Sequence, residues 1–178
     1  MNTQQIQLLD YLPTVPDFPK PGIQFRDISP LLGNPAAFAQ AIEGMASLAQ
    51  QLDYTHLLGV ESRGFIFASA LALHVQKSLV LVRKPNKLPL ASHQESYGLE
   101  YGSDALEIQS VSLPAGSRVL LIDDVLATGG TLLATSKLVK QVGANAIASI
   151  CLLEIECLGG RAKLESHGIA SHTVLKTP

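Results

Sequence analysis

The chain has 178 residues, of which 47 % are hydrophobic and only 5 % aromatic, so we expect a core built mainly from Leu, Ile, Val and Ala. The formal net charge is −2 at pH 7, and this lack of basic excess argues against nucleic acid or a membrane surface as a partner. Because no signal-like segment opens the sequence and no apolar run approaches the ~20 residues of a membrane span, we expect a cytoplasmic protein.

The first 75 residues predict one irregular segment followed by regular elements. Residues 3–11 show weak helical periodicity, and residues 13–22, which contain four prolines, are expected to be extended and rich in turns. Asn34, which is followed by a proline, is the predicted N-cap of an alanine-rich helix. A short apolar strand at 55–60 and a helix at 65–75 come next.

The rest of the chain continues the alternation of strand and helix, with one long polar interruption. A buried strand is predicted at 78–82, and the polar stretch 83–102 is too rich in Pro and Gly for a helix, although 105–111 can form one arm of a hairpin. The last predicted elements are a strand at 118–122, a helix from 129 or 130 to 142, a strand at 146–153, a short helix near 158–166 and a strand near 171–175. This order predicts an α/β fold with a mainly parallel sheet flanked by helices on both faces.

Cysteine and histidine, the residues that most often bind transition metals, form no recognisable pattern here. Cys151 and Cys157 are separated by five residues, which fits no common zinc site, so we expect two reduced thiols. We expect none of the five histidines to be catalytic. The sequence therefore predicts no metal held directly by protein side chains.

The segment VLLIDDVLATGGT, residues 119–131, combines a buried strand with two adjacent acids. Asp123 and Asp124 are predicted at the carboxyl end of that strand, where open α/β sheets bind their ligands. Two neighbouring carboxylates repel each other unless hydroxyl donors or a cation lie close, and ribose hydroxyls or Mg²⁺ meet that need. We therefore expect a sugar and its metal at this edge of the sheet.

The five residues that begin three positions after Asp124 are called here the glycine–threonine loop. Its glycines tolerate a positive φ, its successive N–H groups can surround an anion, and the helix that follows presents its positive end. The loop lacks the lysine of a nucleoside-triphosphate P-loop, and its alternative interpretation is an Asp N-cap followed by a glycine turn. We expect the loop to bind a phosphate through Ala127, Thr128, Gly129, Gly130 and Thr131.

Segment 119–131 resembles the phosphoribosyl pyrophosphate (PRPP) signature of the type I phosphoribosyltransferases. Four more segments, PDFPKPGIQFRDISPLL, ESRGFIF, VRKPNKLP and SYGLEYG, extend the resemblance over nearly the whole chain and narrow it to the adenine phosphoribosyltransferase family. The resemblance implies transfer from PRPP to adenine in purine salvage, giving AMP and pyrophosphate, with Mg²⁺ held through PRPP near Asp123 and Asp124. It also implies a single domain with an N-terminal hood over about 1–33 and a core over 34–178, a flexible catalytic loop, and a homodimer.

The turn ESRG after the strand at 55–60 is the first candidate site for pyrophosphate. The Ser62 hydroxyl and the Arg63 guanidinium can hold a phosphate group, although an ordinary surface arginine would fit the same pattern. By resemblance, this turn binds pyrophosphate and the peptide bond between Glu61 and Ser62 is cis. Many relatives carry Asp at the position of Glu61.

Three basic residues just after the strand at 78–82 form the second candidate site for pyrophosphate. Arg83, Lys84 and Lys87 can offset the charge of a leaving pyrophosphate and its metal, and the alternative is a solvated run of charges. In related dimers some of these residues act near the neighbouring subunit, so a role within one chain and a role across a dimer both stay open.

Two further segments are assigned through the resemblance. Phe25 and Arg26 are expected to contact adenine, with Phe25 stacked on the purine, whereas ordinary packing is the alternative for this phenylalanine. Glu100 is expected to be the catalytic acid or base that manages the proton on the purine imidazole nitrogen, and Tyr101 to contact the substrate. Without the resemblance, Glu100 would be a solvent-facing loop residue.

Two other functions compete with this interpretation. The same fold can act on hypoxanthine, guanine or xanthine, and the segments around Phe25 and Glu100 argue against that choice. Alternatively, a protein of this fold can regulate transcription while binding PRPP or a nucleotide without catalysis. The chain has no basic recognition helix and no excess of positive charge, which disfavours a DNA-binding regulator.

Overall fold

The computed structural model describes residues 6–90, 92–99 and 102–178. The chain divides into two compact units, Met1–Gly44 and Met45–Pro178, which are described separately. The expected division into hood and core within a single domain stays a prediction. Among the described residues, no helix combines the length and the apolar character that a membrane crossing requires. The cytoplasmic location stays a prediction as well.

The N-terminal unit contains short elements joined by proline-rich turns. The antiparallel strands β1 (Thr14–Pro16) and β2 (Gln24–Arg26) pair across the predicted turn-rich segment. The Asn34 side chain caps the next helix, because its Oδ1 accepts hydrogen bonds from the N–H groups of Ala36 and Ala37 at 3.1 and 3.0 Å. The predicted N-cap is therefore confirmed. The helical elements are a 3₁₀ helix at Leu8–Tyr11, α1 at Ser29–Gly33 and α2 at Pro35–Ala49, which continues into the second unit.

The C-terminal unit is built on a parallel sheet. The chain order is β3 (His56–Val60), α3 (Gly64–Val75), β4 (Ser78–Val82), β5 (Ser92–Leu99), β6 (Gly102–Gln109), β7 (Arg118–Leu126), α4 (Gly130–Gln141), β8 (Asn145–Ile155), a 3₁₀ helix (Glu156–Leu158), α5 (Gly160–Glu165) and β9 (Ala170–Thr177). Five of these strands form the sheet in the order β4-β3-β7-β8-β9, and every pairing is parallel. The predicted α/β class is confirmed.

The helices lie on opposite faces of this sheet because side chains of a strand alternate between its faces. Leu58 and Val60 belong to the apolar cluster that also contains the buried apolar residues of α4. On the other face, α3 packs so closely that a Cβ at Gly59 would lie 2.8 Å from the Ala68 Cβ. This layering leaves the carboxyl edge of the central strands open to a ligand.

Strand β7 and the hairpin of the polar stretch differ in extent from the predictions. Strand β7 continues past position 122 to Leu126, because β8 runs beside it and pairs Asp123 with Cys151 and Val125 with Leu153. The acids therefore lie within the last part of the strand rather than after it. The predicted hairpin of the polar stretch is confirmed, but its second arm covers Gly102–Gln109 rather than 105–111, and it pairs with β5.

Candidate active site

The two acids of β7 lie at the carboxyl edge of the sheet, and the turn before α3 packs directly against them. A Cβ at Gly64 would come within 2.9 Å of both Asp123 Oδ1 and the Ile122 carbonyl oxygen. The glycine is thus required by the close approach of α3 to β7. This contact brings the turn that contains Ser62 and Arg63 next to the carboxylate pair.

Arg63 and Asp124 form an ion pair at this edge. Arg63 Nε lies 2.8 Å from Asp124 Oδ2, and the carboxylate is almost fully buried whereas about a third of the Arg63 side chain is exposed. Arg63 is also the N-cap residue of α3, so the fold of the turn fixes where its side chain starts. Two residues that are 61 positions apart in the sequence therefore share one electrostatic environment.

The carboxylate pair is electrostatically strained. Burial raises the pKa of Asp123 well above its ordinary value, and the adjacent charge of Asp124 adds to the effect. Asp123 also lines the neighbouring pocket, where a ligand can reach it. Burial raises the pKa of Asp124 too, while the positive charge of Arg63 opposes this rise. The pair holds protons more tightly than isolated carboxylates do, and hydroxyl donors from a ligand can relieve this strain.

The glycine–threonine loop surrounds a small pocket at the start of α4. The pocket, about 60 Å³ in volume, is lined by all five loop residues together with Asp123. That space accommodates a few waters or one phosphate-sized group. Gly129 adopts a φ of +74° as the N-cap residue of α4, a conformation that glycine reaches without a steric cost. The first N–H groups of a helix have no partner within it, so those at the start of α4, together with its positive end, border the pocket.

Helix α5 packs against this loop through a close contact between Gly160 and Gly129. A Cβ at Gly160 would collide with the Ala127 carbonyl oxygen and would lie 3.0 Å from the Gly129 nitrogen. Conversely, a Cβ at Gly129 would lie 2.9 Å from the Gly160 carbonyl oxygen. The loop and the first turn of α5 thus pack backbone against backbone, which excludes any larger residue at either position.

The first turn of α5 is itself anchored to the ends of β8 and β9. Arg161 donates hydrogen bonds from Nε to both carboxylate oxygens of the buried Glu154, at 2.9 and 3.0 Å, and from Nη1 to the Ser171 carbonyl oxygen. Its charge lowers the pKa of Glu154 by hydrogen bonding and by direct attraction. The ion pair fixes where α5, and with it Gly160, meets the loop.

The basic segment after β4 is held by Glu61, the residue that precedes the Ser62–Arg63 turn. Glu61 Oε2 accepts hydrogen bonds from the Lys84 backbone N–H at 2.7 Å and from Arg83 Nε at 3.3 Å. The hydrogen bonds of Lys84 and Arg83 and the charge of Arg83 lower the pKa of Glu61 against the opposing effect of burial. The peptide bond between Glu61 and Ser62 is cis, as the resemblance predicts.

The three predicted basic residues have different surroundings. The Arg83 guanidinium contacts Glu61, donates to the Lys87 carbonyl oxygen at 3.3 Å and lies over the Phe65 ring. The Lys84 ammonium donates to Asp104 on β6 at 2.8 Å. The Lys87 side chain is exposed. The structure therefore brings Arg83 and Lys84 to the turn of Ser62, but their side chains already have acidic partners.

The predicted base-binding residues lie in the N-terminal unit, on β2. The half-buried Phe25 ring packs edge-to-face against Phe18, with the ring centroids 5.0 Å apart. Arg26 Nη1 donates a hydrogen bond to the Leu12 carbonyl oxygen at 3.3 Å. Both residues thus have partners inside their own unit. Glu100 and Tyr101 lie outside the described residues, so their predicted roles stay predictions.

Several contacts between acidic and basic residues of this region were not predicted from the sequence. Glu61 contacts the Arg83 side chain 22 positions away, Asp104 contacts Lys84 20 positions away, and Glu154 contacts Arg161 seven positions away. The sequence does not show which acid pairs with which basic residue, because the chain contains 15 Asp and Glu residues and any of them could be the partner. The glycine pair at 159 and 160 before a short helix was the one available hint of a close backbone approach.

Comparison with known proteins decides the family. A model of the family described as a phosphoribosyl transferase domain matches residues 29–167. The adenine phosphoribosyltransferase of Polynucleobacter asymbioticus is 62 % identical over 172 residues, which cover 97 % of this chain and 100 % of that protein. The chain belongs to the adenine phosphoribosyltransferase family.

Solved structures of adenine phosphoribosyltransferases share the fold. The enzyme of Rhodothermus marinus is 45 % identical, with a TM-score of 0.89, and the match covers 96 % of each chain. The enzyme of Saccharomyces cerevisiae, solved in complex with adenine and an imino-altritol bisphosphate, is 38 % identical with a TM-score of 0.86, over 94 % of this chain and 96 % of that one. The resemblance and the type I fold expected from the sequence are both confirmed.

Proposed function

We propose that this chain transfers the phosphoribosyl group of PRPP to adenine, producing AMP and pyrophosphate in purine salvage. The bond between the ribose anomeric carbon and the pyrophosphate oxygen breaks, a bond from that carbon to the purine imidazole nitrogen forms, and the proton on that nitrogen leaves. The observation that carries the proposal is the carboxylate pair Asp123–Asp124 beside the glycine–threonine loop, in a chain 62 % identical to an adenine phosphoribosyltransferase.

The carboxylate pair binds the ribose. Asp123 and Asp124 accept hydrogen bonds from the ribose hydroxyls, which offset the loss of hydration that raises the pKa values of both buried carboxyls. Displacement at the anomeric carbon passes through a state with oxocarbenium character. Two carboxylates placed near the ribose stabilise that developing positive charge, and Arg63 holds Asp124 in place.

The two ends of PRPP are bound by different segments. The glycine–threonine loop holds the 5′-phosphate in its 60 Å³ pocket, through N–H groups at the start of α4 and the hydroxyls of Thr128 and Thr131. Ser62, Arg63, Arg83, Lys84 and Lys87 bind the pyrophosphate and offset its charge as it leaves. Glu61 positions this basic segment through its contacts with Arg83 and the Lys84 N–H.

Adenine is bound by Phe25 and Arg26, with the Phe25 ring stacked on the purine. Main-chain carbonyl oxygens select the 6-amino group, because a 6-oxo purine would present an acceptor to an acceptor at a cost of about 1–3 kcal/mol. Glu100 accepts or donates the proton of the imidazole nitrogen, and Tyr101 contacts the substrate. Closure of the flexible catalytic loop that the resemblance implies excludes water, which otherwise hydrolyses PRPP.

The donor chemistry of the site suits a magnesium ion that arrives with its substrate. Carboxylate oxygens of Asp123 and Asp124 are ligands that Mg²⁺ accepts, but Asp124 is paired with Arg63. Among the described residues, no group of three or more His, Cys, Asp or Glu side chains is arranged to hold a metal. Asp123 would lie beside the ion, oxygens of PRPP would supply most of its ligands, and the ion would offset charge on the pyrophosphate.

The active form is a homodimer. Ile66 and Leu73 are seven residues apart on the outward face of α3, and both are exposed, Leu73 to 83 %. Leu81 on the edge strand β4 is exposed too. A second copy of the chain can cover these apolar residues, and light scattering of the purified chain tests for a mass twice that of the monomer.

A spectrophotometric assay with purified chain, PRPP and each purine base tests the proposed reaction. Adenine should be converted in the presence of Mg²⁺ and only slowly without it, while hypoxanthine, guanine and xanthine should react at least about a hundredfold less efficiently. Efficient use of a 6-oxo purine would move the assignment to another base. Binding of PRPP without turnover of any base would instead support the regulatory alternative.

A further inference from the structure

The ammonium group of Lys84 has an acidic partner that belongs to the hairpin of β5 and β6. Lys84 Nζ lies 2.8 Å from Asp104 Oδ2, and the Tyr97 hydroxyl donates to the same oxygen at 3.5 Å. Tyr97 and Asp104 are directly opposite each other in the hairpin register. A residue with a proposed role in binding pyrophosphate is thus held by a carboxylate that no sequence motif indicated.

The backbone and the side chain of Lys84 are held in different ways. Glu61 fixes the backbone, because its Oε2 accepts the Lys84 N–H at 2.7 Å. The side chain is about half exposed and ends in a compact charge on a flexible stem, so it can exchange one anion for another without moving the chain. The Lys84 backbone is therefore fixed, while its ammonium group can move from one anion to another.

Asp104 also stands at a junction between the two phosphate sites. The Tyr97 hydroxyl, which contacts Asp104, lies 3.5 Å from Thr131 Oγ1 of the glycine–threonine loop. The hydrogen bond from Lys84 lowers the pKa of Asp104, and the same bond raises the pKa of Lys84, so both groups are charged at neutral pH. A full negative charge thus sits between the Lys84 ammonium and the loop.

We propose that Asp104 is a positioning residue that competes with pyrophosphate for Lys84. It holds the ammonium whenever no pyrophosphate does, gives it up when PRPP binds, and recaptures it as the product pyrophosphate leaves. This inference rests on the proposed function, because it needs Lys84 to bind pyrophosphate. Its consequence is that Asp104 weakens the binding of PRPP and pyrophosphate and speeds product release.

The size of the effect follows from the exposure of the pair. An exposed ion pair contributes little, so its loss should tighten binding by about two- to fivefold rather than by orders of magnitude. The experiment is calorimetric titration of the full-length chain with magnesium pyrophosphate and, separately, with PRPP. Asp104→Asn should lower both dissociation constants two- to fivefold, and Asp104→Ser should repeat the gain.

Three companion variants separate this role from a structural one. Asp104→Glu keeps the charge and should retain the wild-type dissociation constants. Glu95→Gln removes one charge from the same hairpin, where Glu95 pairs with Lys137 at 2.9 Å, and should not tighten pyrophosphate binding. In a Lys84→Met background, Asp104→Asn should not change the dissociation constants further, because the ammonium group for which Asp104 and pyrophosphate compete is absent.

The outcomes separate this inference from the proposed function. If wild-type chain binds neither PRPP nor pyrophosphate, the proposed function fails before any variant is compared. If wild-type chain binds both while Asp104→Asn and Asp104→Ser leave the affinities unchanged or weaken them, the competition is contradicted and the proposed function stands. A gain that persists in full after Lys84→Met also overturns the inference, because Asp104 would then act without Lys84.

Discussion

Gly160 packs so closely on the glycine–threonine loop that a Cβ at its position would collide with the Ala127 carbonyl oxygen. This contact ties the geometry of a proposed phosphate pocket to a helix that provides none of its lining residues. The anchor is the buried Glu154, whose carboxylate is held by Arg161 one residue after the glycine. The shape of the pocket therefore depends on the ends of β8 and α5 as much as on the loop itself.

Gly160→Ala should displace the loop and weaken the binding of PRPP. We expect the KM for PRPP to rise about 10- to 100-fold, because a misplacement near 1 Å is enough for losses of that size, while the KM for adenine stays near the wild-type value. Steady-state kinetics with each substrate varied in turn measures both. Gly159→Ala is the matched control, since Gly159 has a φ of +69° but open space around its Cβ position. An unchanged PRPP KM in Gly160→Ala would refute the coupling.

Asp124→Asn should lower kcat by about a hundredfold or more with the fold intact. The amide retains the volume of the carboxylate but removes the charge that pairs with Arg63 at 2.8 Å and that is proposed to face the ribose. Turnover of adenine and circular dichroism, measured on the same preparation, check both halves of the prediction. Wild-type turnover in this variant would contradict the proposal that the carboxylate pair binds the ribose.

Asp123→Asn should stabilise the protein, and more so at higher pH. The folded-state pKa of Asp123 is raised, so the folded chain binds more protons than the unfolded chain, and stability is lost as pH rises from the unfolded pKa through the folded one. Asparagine removes this loss, and each kcal/mol gained raises Tm by about 2–4 °C. The Tm difference between variant and wild type should therefore be larger at pH 8 than at pH 5. Equal differences at the two pH values would show that the carboxyl is not strained in the fold.

Glu100→Ala should lower kcat while the affinity for PRPP is preserved. A group that handles the proton of the purine acts after PRPP is bound, and loss of such a group typically costs about 10²- to 10⁴-fold. Turnover assays together with calorimetric titration of PRPP distinguish the two steps. A collapse of PRPP affinity would instead assign Glu100 to substrate binding.

The order of elements and the core of the site were predictable because they depend on local sequence. Asn34 signals a helix start through its own side chain, and the apolar runs that became β3, β4 and β7 fix the sheet. The acids and the glycine–threonine loop are contiguous, so one motif places them together. The type of reaction, in contrast, came from the resemblance rather than from any single residue.

The contacts between distant segments were not predictable in the same way. The continuation of β7 to Leu126 depends on its partner strand β8, and the link from Glu61 to Lys84 spans 23 positions. Whether Lys84 faces a ligand or Asp104 depends on the folding of the β5–β6 hairpin. Each of these contacts is set by tertiary packing, for which a single sequence carries no periodic signal.

The most direct test of the proposed activity is the identification of products from adenine and PRPP. With Mg²⁺ present, chromatography should show AMP and pyrophosphate formed in equal amounts by the wild-type chain, and almost none in the same time by Asp124→Asn. Absence of AMP with the wild-type chain would contradict the proposed transfer of a phosphoribosyl group to adenine. Equal yields from both proteins would contradict the proposed role of the carboxylate pair in that transfer.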